Sequence, residues 1–240
     1  MLRSRRILLA VLSLLLFAHL VVAQTTQSDA RDLIKSGNAR YARAEYESAI
    51  DDYARVSPAA GETYAQALYN LGVCYYELWR TKDAVAMYRN AIAARGGRYP
   101  RASYSLGVAL EDLKRPAEAG AAYREAIASS GKTYAPAYFR LGLITLNEDD
   151  FATAVTLFRE ALSRWPVQFP AGHNNLGVAL ARTGRLREAE REFATALSQG
   201  NSSLPEARHN LELCRSLLKT RARIQVASLL LIKASSSAVN

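Results

Sequence analysis

Residues 66–91, QALYNLGVCYYELWRTKDAVAMYRNA, carry the pattern on which the chain is built. Leu71-Gly72 lies inside one apolar run, and after a short polar break Ala84, Tyr88 and Ala91 follow at intervals of four and three. Those intervals fall on one face of an α-helix, so the stretch predicts two helices, the second with a small-aromatic-small inner stripe. The glycine returns every 35 residues, at Gly37, Gly72, Gly107, Gly142 and Gly177. A fixed period of this size in an Ala- and Leu-rich chain predicts stacked helical repeats.

The other columns keep the same register. Leu71, Leu106, Leu141 and Leu176 precede the glycine, with Ser36 in the first copy. Twelve residues after it stand Ala49, Ala84, Ala119, Ala154 and Ala189, then Tyr53, Tyr88, Tyr123, Phe158 and Phe193, then Val56, Ala91, Ala126, Ala161 and Ala196. A glycine inside a helix costs up to about 1 kcal/mol relative to alanine, so its recurrence needs a packing reason. Close approach of two helices supplies one, with the aromatic filling the space beside it. On that reading Gly107 should accept alanine but not leucine. Tyr64, Tyr99, Tyr134, Phe169 and Leu204 are expected just before each new first helix, followed by Pro100, Pro170 and Pro205 in three copies, because proline fits the first helical position.

Together these motifs resemble the tetratricopeptide repeat family, in five copies from about residue 30 to residue 200. The period is 35 residues where the family commonly has 34, and its tryptophan column is replaced by Leu33, Leu68, Ser103, Tyr138 and His173. The resemblance implies an all-α, right-handed superhelical solenoid whose first helices line a concave groove. Carried onto this chain, the groove is formed by Tyr69, Val73, Tyr76, Tyr104, Val108, Phe139, Leu143 and Leu146, with Ile34, Asn38, Tyr41, Asn174 and Val178 in the same columns. Some repeats of the family clamp a peptide's terminal carboxylate with Lys, Asn and basic residues. Asn38, Asn70 and Arg101 match that pattern here, while Ile34 and Ser105 depart from it.

The boundaries follow from the period and from composition. Residues 1–23 read as an export signal: Arg3, Arg5 and Arg6, an apolar run from Ile7, and a Val21-Val22-Ala23 junction that predicts cleavage after Ala23. Then come a linker (24–29), repeats at 30–64, 65–99, 100–134, 135–169 and 170–204, a capping helix at 205–222, and a basic, polar and partly disordered tail at 223–240. In the sixth copy Leu211 keeps its column and Glu212 replaces the glycine.

The formal charge is +9, of which the leader supplies three arginines without an acid. The stretch 205–240 holds Arg208, Arg215, Lys219, Arg221, Arg223 and Lys233 against Glu206 and Glu212, so the repeats are nearly neutral. A basic tail on an exported chain does not read as a nucleic-acid surface. Cys74 and Cys214 share one column four periods apart, too far for a disulfide in a linear stack, and are expected to be buried free thiols.

No catalytic constellation is present. His173 and His209 have no cysteine or carboxylate at metal-ligand spacing, Gly96-Gly97 and Gly131 read as helix C-caps, and no cofactor is expected. Asn201-Ser202-Ser203 matches a glycosylation acceptor. The resulting expectation is an exported, periplasmic or extracellular, non-enzymatic scaffold that binds a peptide or protein in its groove. The alternatives are an accessory module presenting substrate to a separate envelope enzyme, and a membrane-surface protein held through Arg215, Lys219, Arg221 and Arg223.

Overall fold

The computed structural model describes residues 27–165, 167–200, 204–220 and 229–232. Among these residues all regular structure is helical: α1 (27–41), α2 (Tyr46–Ala54), α3 (Glu62–Glu77), α4 (Thr81–Ala94), α5 (Pro100–Asp112), α6 (Pro116–Ser129), α7 (Ala135–Asn147), α8 (Phe151–Arg164), α9 (Pro170–Arg182), α10 (Leu186–Gln199) and α11 (Pro205–Thr220). Residues 1–23, read as an export signal, the Asn201 motif, Arg221 and Arg223 lie outside the described residues. No helix among the described residues is long and apolar enough to cross a membrane.

Proline opens α5, α6, α9 and α11, where its missing N–H costs no hydrogen bond. The second repeat departs from the expected start. Ala65 stands where three other copies have proline, and after the 58–60 turn α3 starts at Glu62 and takes Tyr64 inside the helix. A 3-10 turn at Pro58–Ala60 leads into it, with the Ser57 hydroxyl accepting from the Ala59 N–H at 3.3 Å. Helix α1 likewise begins at residue 27, inside the stretch read as a linker.

Within each repeat the turn between the two helices carries a second column, seven residues past the glycine, that sequence reading did not single out. Ala44, Trp79, Lys114, Asp149 and Gly184 all have positive φ, between 59° and 80°. The left-handed conformation satisfies the last carbonyls of the first helix, as where Trp79 and Arg80 donate to Tyr76 and Tyr75. It costs an L side chain about 1 kcal/mol or more, and only the fifth copy supplies the glycine that avoids this cost.

The chain divides into two compact units, 1–115 and 116–240. In the first, α2 to α5 pack in chain order, and α1 closes on α2 through Ala30, Ile34, Ala49 and Tyr53. In the second, α6 to α11 pack in chain order, and the first helices α7, α9 and α11 also touch as successive neighbours.

The small and aromatic columns are buried in all five copies, from Ala49 and Tyr53 to Ala189 and Phe193. An added Cβ on Gly72 would stand 2.5 Å from the Tyr88 ring, on Gly142 2.8 Å from Phe158, and on Gly177 2.6 Å from Phe193; Gly37 meets Tyr53 the same way. These contacts are closer than real Cβ atoms tolerate, so in these four copies even alanine forces the ring to move. In these four copies the column therefore resists alanine as well as leucine. Both cysteines are buried free thiols, and burial pushes Cys74 up to about 12 and Cys214 up to about 11.

Candidate functional site

In the first unit the groove columns stay partly open. Tyr69, Asn70, Val73 and Tyr76 on α3, and Val108 on α5, are half-buried, whereas Tyr104 is buried. The Tyr69 ring sits 5.8 Å from Tyr88 and 5.5 Å from Tyr99, and Arg95 lies 4.6 Å over Tyr99 while pairing with Glu62 at 3.1 Å. Beside them opens a cavity of about 510 Å³, within the range of ligand pockets. Arg31, Arg95 and Arg101 line it against one acid, Glu62, with Tyr69 and Asn70 on the wall. This excess of cations suits an anionic group.

Two of the three clamp residues, Asn70 and Arg101, therefore share one cavity. The third, Asn38, acts behind them. Its carboxamide oxygen accepts from the Tyr53 hydroxyl at 2.7 Å and from Asn70 Nδ2 at 3.1 Å, which orients the Asn70 amide. Burial holds the Tyr53 phenol above its usual range, so it remains a donor. Tyr76 makes a different contact from the one expected. Its hydroxyl donates to Asp112, as Tyr41 donates to Glu77 at 3.2 Å, so the same tyrosine–carboxylate strut joins α1 to α3 and α3 to α5. A tyrosine with an acid 36 residues on is the sequence signal that could have found this pair.

In the second unit the corresponding positions are closed. Phe139 is 1% exposed, packed against Phe169 at 4.8 Å, Phe158 at 5.7 Å and Trp165 at 6.5 Å. Leu143 and Leu146 are buried in the same cluster. These three residues, expected on an open groove, form part of a core.

The chain's own end adds to this core. Leu229–Ile232, from the stretch read as a basic polar tail, lies against α9 and α11. Asn210 Oδ1 accepts from the Leu230 N–H at 2.8 Å, and its Nδ2 donates to the Leu230 carbonyl at 2.7 Å. Asn175 does the same with Ile232, at 2.9 and 2.7 Å. Asn174 Nδ2 donates to the Leu230 carbonyl at 2.9 Å and to Asn175 Oδ1 at 3.1 Å, and its own oxygen accepts from Asn210 at 2.9 Å. All three asparagines are completely buried, and Leu229 joins the core cluster with Leu143, Leu146 and Val178. Asn175 and Asn210 lie 35 residues apart in one column; four consecutive aliphatics in a Ser-containing tail were the sign of what they hold.

Among the described residues no group of three His, Cys, Asp or Glu side chains could hold a metal. The Arg215 guanidinium pairs with Glu190 at 2.9 Å, and Lys219 is exposed.

A family model described as tetratricopeptide repeat matches residues 80–132 and 139–205. No curated protein of similar sequence matches the chain. Among solved structures, MamA is 24% identical with a TM-score of 0.61, over 72% of this chain and 92% of that one. YrrB, described as a tetratricopeptide-repeat protein with an unusual peptide-binding site, is 22% identical with a TM-score of 0.60, over 82% of this chain and 96% of that one. Pseudomonas aeruginosa pilF is 22% identical with a TM-score of 0.59, over 83% and 95%. At these identities the likeness concerns the fold.

Proposed function

This chain belongs to the tetratricopeptide repeat family, and from that premise we propose that it is a non-enzymatic scaffold that binds a peptide or protein segment on the first-helix face of its repeats. The observation that carries this reading is the cavity where Tyr69 and Asn70 of the second repeat meet Arg101 of the third. An aromatic wall, an oriented amide and an excess of arginine suit an extended segment bearing an acidic group. The description of YrrB as a peptide binder lends the reading support from a protein of the same fold. The membrane-surface alternative draws less support, because Arg215 is already paired with Glu190.

Affinity capture with the full chain, followed by quantitative mass spectrometry, tests it. Tyr69→Ala with Arg101→Ala is expected to weaken the main partner about thirtyfold, equivalent to about 2 kcal/mol. The outer-face pair Arg187→Ala and Arg191→Ala is expected to do little. The reverse result would move the site off the first-helix face.

Export belongs to the same proposal. The arginine cluster, apolar run and small-residue junction support removal of residues 1–23, leaving Gln24 first, with the mature protein in the periplasm or outside the cell. Intact-mass measurement on protein from its native cell is expected to show that loss. Full-length chain recovered from membranes would overturn it.

A further inference from the structure

We propose that Asn174, Asn175 and Asn210 form a receptor for an extended, aliphatic-rich peptide strand of a partner, and that Leu229–Ile232 is a resident internal ligand which that strand displaces. The inference rests on the reading of the chain as a peptide-binding scaffold, but concerns other residues of the first-helix face, on α9 and α11 of the second unit.

A carboxamide offers one acceptor and a donor group side by side, the complement of a single residue's N–H and C=O. Asn210 and Asn175 each use both, on Leu230 and Ile232. Alternate residues of an extended chain present their main-chain groups on the same edge, about 7 Å apart, so asparagines one repeat apart can read two of them in register. The asparagine bonds go to main-chain atoms of Leu230 and Ile232, and the aliphatic side chains take no part in them. Any strand in the same register can therefore make these bonds. Selectivity comes from the apolar floor, where Leu229 is buried, while Leu230 is 45% exposed. The matching partner chemistry is thus an extended strand with an aliphatic residue at the position of Leu229.

The site is also organised in advance. Asn174 bonds to both Asn175 and Asn210, so the three amides hold one another in orientation. Buried amides left without partners are costly, so the face favours occupation. The resident segment follows α11 after residues 221–228, a short tether that gives it a high effective concentration. It can therefore compete although only two of its residues are clamped. A free partner has to overcome that advantage, and a strand making further contacts along the face can do so.

The test is fluorescence anisotropy with a fluorescein-labelled peptide copying residues 226–235, VASLLLIKAS, added to the full chain. Leu229→Asp with Leu231→Asp in the full chain detaches the resident segment and is expected to raise probe affinity at least about tenfold. Adding Asn175→Ala and Asn210→Ala to that background is expected to abolish the gain, with circular dichroism confirming that the helices persist. Hydrogen exchange on the unmodified chain supplies a readout independent of folding: the Leu230 and Ile232 amides are expected to be protected alone and to lose protection under excess probe. Equal probe affinity with and without the detaching substitutions overturns the proposal, as do tail amides that stay protected at saturation. Dissociation of a dimer by the detaching substitutions would also overturn it, assigning the face to the tail of a second copy. None of these failures touches the cavity of Tyr69, Asn70 and Arg101, whose test uses other residues.

Discussion

Phe139→Ala is expected to destabilise the second unit by about 3–5 kcal/mol, the cost of emptying a large aromatic site that its neighbours cannot refill. Phe139 meets Phe169 edge-on at 4.8 Å and lies near Phe158 and Trp165, while Trp165 and Phe169 are stacked at 3.9 Å. Removing the ring leaves these three aromatics facing a void. Urea denaturation followed by circular dichroism measures the effect. A Phe139 on an open groove, as the sequence reading places it, would behave in the opposite way, weakening a partner when removed and sparing the fold. An unchanged midpoint with weaker partner binding would restore that view.

Gly177→Leu is expected to cost about 3 kcal/mol, the upper part of the range for overpacking. The first added carbon would already stand 2.6 Å from the Phe193 ring, and that ring is wholly buried. Gly120, in α6, is the control. A Cβ there meets Arg124 and Leu141 at 3.6 Å, an ordinary contact, so Gly120→Ala is expected to gain up to about 1 kcal/mol from helix propensity. Thermal melts of Gly177→Ala and Gly120→Ala should therefore shift in opposite directions. Equal shifts would mean that the repeat glycine answers to helix propensity and not to the aromatic beside it.

The fold was legible because its determinants are local and repeated. Ala84, Tyr88 and Ala91 declare their inner face through spacing alone, and five registers of the same spacing leave no competing assignment. Helix starts were legible where proline fixes them, at Pro100, Pro170 and Pro205, and were missed in the second copy, where the turn at Pro58–Ala60 brings the start of α3 forward to Glu62. The left-handed turn column stayed hidden because four of its five residues are not glycine, and the cost of each is borne by the packing on either side.

The sequence by itself determined the repeat, its period, the inner faces of its helices and the free, buried state of Cys74 and Cys214. Each of these depends on neighbours a few residues away or on the exact return of a column. Tertiary structure alone decided which groove residues are surface. Tyr69 and Phe139 occupy the same column with nearly the same chemistry, yet one lines a cavity and the other is sealed in a core. The reason lies in two departures from the repeat: Trp165 packs on Phe139 in the column where the second copy has Arg95, and Leu229–Ile232 returns across more than fifty residues of chain to Asn174 and Asn175, a docking that nothing in a 35-residue period encodes.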